Sequence, residues 1–133
     1  MEPLTVLASR KKSSIIKLNA NSRIFKLIIK AIQEKKAEHI VSLDMRKIHE
    51  AVSDYFIICG ATSTIQVRAI ADFIEETIKK ELRENPYRHE GYSALKWVLI
   101  DYVNVVVHVM LPESRKFYRL EEMWSDAILQ EYN

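Results

Sequence analysis

Glycine, proline and cysteine are scarce, with two, three and one among 133 residues. Average usage of about 7% would put roughly nine glycines in such a chain. With glycine only at Gly60 and Gly91, neither a G-x-x-x-x-G-K-[ST] phosphate loop nor a G-x-G-x-x-G fingerprint can be written, and the commonest nucleotide-binding loops are excluded. The single Cys59 excludes an intramolecular disulfide and any multi-cysteine zinc site, and fits a reducing compartment. No sign of charge dominates. Twenty Lys and Arg oppose 18 Asp and Glu, a formal net charge of +2, too little for an unaided grip on naked DNA or RNA. Long hydrophobic runs are missing as well: those from Trp97 to Ile100 and from Val105 to Val107 fall far short of the ~18 residues of a membrane span. At the start, Arg10, Lys11 and Lys12 follow Leu4 to Ala8 rather than precede them. A secretory signal has the opposite order, so a cytoplasmic location is expected.

What is present is 48% hydrophobic and 29% charged. A chain of this length buries about 65% or more of its unfolded surface, enough for one core and too little for two comparable domains. Residues 1–21 mix Pro3, Ser9, Ser13, Ser14 and Asn19 with basic residues and keep no period. They are expected to form a mobile N-terminal extension, read as a solvated terminus in preference to a basic arm on RNA phosphate. Residues 22–133 form the domain.

Within that domain, Ile24, Leu27, Ile28, Ala31 and Ile32 recur at helical spacing and predict a helix over Ser22 to Ala37. His39 to Asp44 suits a strand, and the uninterrupted run Tyr55 to Cys59 suits one covered on both faces. Ser63 with Gln66 three residues on makes a capping box for a helix with the stripe Val67, Ile70, Ile74, Ile78 and Leu82. Asn85-Pro86 ends it near Glu84. Tyr87 to Gly91 is a short extended piece, and Leu95 to Asp101 with Asn104 to Met110 predicts a hairpin. Last, Pro112 opens a helix on which Phe117, Leu120, Trp124, Ala127 and Ile128 keep a rough helical spacing. The order α-β-β-α-β-β-β-α predicts an α/β fold, a mixed β-sheet of about five strands with helices on its faces.

Catalytic chemistry finds little support. His39, His49, His89 and His108 stand far apart with no H-x-x-x-H pair, so no metal is expected. His108 shares strand parity with Val106 and Met110 and is read as a satisfied core histidine. Cys59 ends an apolar strand and Ser63 caps a helix, roles that leave neither as a nucleophile. Asp101 is followed at the turn by the neutral Asn104, and Asp44 and Asp54 have no partner at alternate positions, a poor set for two-metal nucleotidyl transfer. What stays unexplained is aromatic: Trp97, Tyr102, Tyr118 and Trp124 gather in the last third of the chain with Leu99 and Leu120. Such side chains anchor interfaces as well as cores.

The segments Asp54 to Cys59, Ser63 to Asp72, Glu90-Gly91, Trp97 to Tyr102, Val105 to Val109 and Phe117 to Trp124, in that order, resemble the ribosomal silencing factor family (RsfS, or Iojap-like). The likeness spans about Ile24 to Ala127. It implies a fold related to the nucleotidyltransferases without their catalytic motif, no enzymatic activity, and no cofactor. It further implies binding to the large ribosomal subunit through its ribosomal protein number fourteen, which blocks joining of the small subunit and represses translation, with at most a minor contact to ribosomal RNA. The resemblance places Glu90, Trp97, Leu99, Asp101, Tyr102, Arg115, Tyr118, Leu120 and Trp124 at the partner-binding surface. Trp97 and Leu99 share strand parity, so one face of the hairpin presents both, and Asp101 suits a basic partner. The family usually carries glycine at the position of Ala61 and Gly-Asp at that of Val103-Asn104; here Asn104 is expected to take the left-handed conformation of the turn. Two rival readings differ in class. One is a nucleotidyltransferase-like nucleotide- or RNA-binding protein; the other is a homodimer formed through the same hairpin face.

Overall fold

A computed structural model describes residues 22–133, so the extension expected over residues 1–21 lies outside the described residues. The first helix, α1 (Arg23–Glu34), buries Phe25, Ile28, Ile29, Ala31 and Ile32, while Ile24 and Leu27 flank the core half-buried. It stops three residues before the expected Ala37. Lys36 turns left-handed with φ 57°, its N–H bonds the Gln33 carbonyl at 3.0 Å and that of Ala37 bonds the Ile32 carbonyl at 3.3 Å. These two bonds are the Schellman closure of a helix end, with lysine in the place that glycine usually takes.

Strand β1 (Glu38–Asp44) follows, bulged between Glu38 and Val41, and pairs antiparallel with β2 (Tyr55–Gly60), which is buried throughout. Helix α2 (Thr64–Leu82) begins where Ser63 Oγ accepts the Gln66 N–H at 3.1 Å. The Gln66 carboxamide oxygen takes the Thr62 N–H at 2.8 Å, so the reciprocal half of the box lies one residue earlier than in the standard pattern. The helix ends at Arg83, which is left-handed at φ 55°, slightly before the expected Glu84. Then come β3 (Arg88–Glu90), β4 (Trp97–Asp101) and β5 (Val105–Met110). β4 starts at Trp97 rather than Leu95 because Leu95 sits at φ 59°, closing a turn onto the Gly91 carbonyl.

The hairpin turn differs from expectation in its residue. Val103, not Asn104, has positive φ, 73°. The Asn104 N–H bonds the Tyr102 carbonyl across it at 2.9 Å, a γ-turn spacing that strains a β-branched residue. The surroundings hold it there: Asp101 Oδ1 accepts the Val103 N–H at 2.8 Å, and Ser53 Oγ donates to the Val103 carbonyl at 2.9 Å.

The C-terminal region corrects the expected single helix. Helix α3 (Pro112–Tyr118) is broken at Arg119, φ 47°, from the short α4 (Leu120–Met123), and Ile128–Tyr132 is a strand, β6. β6 pairs antiparallel with β1, Leu129 opposite Leu43. The sheet therefore has six strands in the order β3-β4-β5-β2-β1-β6, with β2 and β5 the parallel pair. Both long helices pack on one face, over Ile57, Cys59, Ile100, Val107 and Val109. The opposite face carries Val41, Leu43, Phe56, Ile58, Val106 and Met110 and, among the described residues, is capped by Met45, Leu120 and partly buried neighbours that include Trp97 and Trp124.

Candidate partner-binding face

The less covered face takes its character from strand parity. Trp97, Leu99 and Asp101 stand opposite Met110, His108 and Val106 of β5, so alternate side chains of β4 point away from α1 and α2. Trp97 and Leu99 are half-buried there. The Trp97 indole donates Nε1–H to His108 Nδ1 at 3.0 Å. Its ring lies 4.6 Å from that of Tyr118, which meets Phe117 edge-on at 5.0 Å. Trp124 meets Phe56 edge-on at 6.1 Å. Tyr118, the last residue of α3, meets Trp97 of β4, and after the break at Arg119 Leu120 enters the core beneath. Phe117 is 78% exposed and Met123 66% exposed, an arrangement that costs hydration free energy unless something covers it.

The residues expected at the surface divide accordingly. Trp97, Leu99, Tyr118 and Trp124 come together on this face, and Glu90, exposed on β3, stands opposite Leu99 and is ion-paired with Arg88. Leu120 is 6% exposed and forms floor rather than surface. Asp101 is 1% exposed; its carboxylate holds the Val103 turn and faces Arg88 Nε at 3.5 Å, so it is not available to a basic partner. Tyr102 packs on the opposite, helix-covered side, where burial raises its hydroxyl pKa. Arg115 donates to the His39 carbonyl at 2.6 Å and to Glu121 at 3.2 Å. His39 has φ 47° in the β1 bulge, so Arg115 ties α3 to that bulge. Phe117 and Met123 were missed as surface residues. Phe117 lies on the apolar spacing that predicts a buried stripe, but the single helix that would carry that stripe ends at Tyr118.

Two titratable groups buried in the sheet, Cys59 and His108, are poorly suited to catalysis. Burial pushes the Cys59 thiol up to about 12 and lowers His108 to about 3, leaving an inert thiol and an uncharged imidazole at neutral pH. Arg46 holds Asp44 below its ordinary carboxylate value through their hydrogen bonds. Among the described residues no three His, Cys, Asp or Glu side chains are grouped to hold a metal ion, and no helix is long and apolar enough to cross a membrane. A cleft of about 590 Å³ beside the β1 bulge presents Arg115, Lys116 and Arg119 against Glu38, Glu121 and Glu122. Its charges balance, unlike those of a phosphate-binding site.

Residues 18–133 match the family described as ribosomal silencing factor during starvation. The ribosomal silencing factor RsfS of Bacillus subtilis is 42% identical over 109 residues, 80% of this chain and 88% of that one. Its counterpart in Halalkalibacterium halodurans is 40% identical over 108 residues, 81% and 91% of the two chains. A crystal structure of a Chromobacterium violaceum protein superposes with a TM-score of 0.71 at 35% identity, over 77% of this chain and 83% of that one.

Proposed function

The chain belongs to the ribosomal silencing factor family, and from that premise we propose that it acts by occlusion, covering a protein patch on the large ribosomal subunit so that the small subunit cannot dock. In this proposal the patch belongs to ribosomal protein number fourteen, the partner that the family resemblance implies. The observation that carries this reading is the row Trp97, Tyr118 and Phe117 on the sheet face that α1 and α2 leave uncovered. Large aromatic side chains set in a partly buried row are the usual anchors of an interface of ~800 Å² per partner. Leu99, Trp124 and Glu90 complete the proposed surface. Asp101 and Leu120 support it from within, and Tyr102 lies outside it.

The task needs no bond to be made or broken. Steric exclusion requires only that the docked domain occupy the volume of an inter-subunit bridge, and the relatives are named as silencing factors. Sedimentation of purified subunits through sucrose gradients, with and without the protein, tests the proposal. The expected result is a shift from joined ribosomes to separate subunits, with the protein travelling on the large one. Equal yields of joined ribosomes in both gradients would defeat it.

A further inference from the structure

Beneath the aromatic row, His108 sits on β5 at 2% exposure against the Phe56 ring, 4.5 Å away. Its Nδ1 accepts the Trp97 indole N–H at 3.0 Å. An uncharged imidazole that accepts at Nδ1 carries its hydrogen on Nε2, and that buried N–H has no hydrogen-bond partner among the described residues. A leucine at this position would fill similar space without burying an unmatched donor, so the imidazole costs stability. What it supplies in return is one directed bond to the tryptophan that begins the row. The other side-chain contacts of Trp97 are apolar packing and ring contacts, which tolerate sliding and tilting.

We propose that His108 is a positioning residue that fixes the Trp97 indole against Tyr118, so that the partner-binding row is built before the partner arrives. This rests on the reading of that face as the ribosome-binding surface. Ordering a side chain at an interface opposes binding, and doing so beforehand removes that cost. Burial, which lowers the His108 pKa to about 3, keeps the accepting nitrogen available at neutral pH.

The test uses the full chain and four variants: H108L, H108N, W97F and the double variant H108L with W97F. Solvent exchange of the Trp97 indole proton, followed by nuclear magnetic resonance, reads the bond directly, and affinity for isolated large subunits reads its effect. H108L is expected to speed indole exchange at least about tenfold and to weaken binding about threefold to tenfold, the range of one neutral hydrogen bond. H108N, which returns an acceptor near the Nδ1 position, should recover most of both. W97F, which keeps an aromatic ring and removes the donor, should lose a similar factor, and the double variant should bind no worse than W97F alone. Unchanged indole exchange in H108L, or additive losses in the double variant, overturns the proposal. Should H108L fail to fold, W97F decides, because the half-exposed site tolerates the smaller ring and undiminished affinity there overturns it too. If the unaltered chain does not bind large subunits, the functional reading falls, while the exchange rates still judge the positioning.

Discussion

At the scale of single residues, Trp97 separates surface from core. It is half-buried, with one edge tied to His108 and one face on Tyr118, so Trp97→Ala removes an anchor without opening a closed cavity. Binding to large subunits is expected to weaken by about 2 kcal/mol or more, and thermal unfolding should show a much smaller loss than the ~3 to 5 kcal/mol of a true core truncation. Val103 makes the opposite case, a residue the fold tolerates rather than prefers. Its φ of 73° costs a β-branched side chain ~1 to 2 kcal/mol, against the ~0.5 to 1 kcal/mol that glycine forfeits in unfolded-state entropy. Val103→Gly should therefore raise stability by about 0.5 to 1 kcal/mol in denaturant titration, and a loss would show that the valine packs better than its exposure suggests. Gly91 admits no such exchange: at φ 93° an added Cβ would lie 2.0 Å from the Trp97 carbonyl oxygen. Gly91→Ala is expected to cost roughly 2 to 3 kcal/mol and, by displacing the Trp97 backbone, to weaken ribosome binding as well.

At the scale of elements, local signals were legible wherever one residue type had one explanation. The run Tyr55 to Cys59 marked a strand buried on both faces, the Ser63 and Gln66 pair marked a helix start, and Asn85-Pro86 marked its end; each is found within a few residues of its expected place. The C-terminal part was not legible, and the reason is tertiary. Ile128 to Tyr132 is too short to show a period, and it becomes a strand because β1 offers it an edge, a fact of the fold rather than of the segment. The same holds for the site. Strand parity put Trp97 and Leu99 on one face correctly, but the family resemblance placed Asp101 at the surface without revealing that the turn at Val103 would draw its carboxylate inward. Arg115 shows how an element is held by a single side chain. Arg115→Ala removes the bonds to the His39 carbonyl and to Glu121 and leaves a bulged carbonyl without its donor. A stability loss of about 1 to 3 kcal/mol is expected, with ribosome affinity changing by far less than in Trp97→Ala. A comparable fall in affinity would mean that Arg115 itself meets the partner.

At the scale of the whole molecule, the buried neutral histidine makes stability depend on pH. The folded chain holds His108 uncharged with a pKa of about 3, whereas the unfolded chain restores the ordinary 6.5. Below pH 6.5 the unfolded state therefore binds more protons, and stability falls as pH drops from 6.5 toward 3, by at most about 1.4 kcal/mol per pH unit from this group. Denaturation at pH 7.5, 6.5 and 5.5 should show a loss over the lower interval that H108L lacks; parallel losses would assign the dependence elsewhere. The sheet order also bears on how the molecule comes into being. β6 closes against β1, where Ser42 Oγ and the Tyr132 hydroxyl meet at 2.9 Å although 90 residues separate them. Contacts so distant along the chain form late and slow folding. Until β6 arrives, β1 is paired on the β2 side alone and its other edge stands open. An open edge of that kind is a template for pairing with another chain, so the strand that closes the sheet also guards the molecule against its own copies.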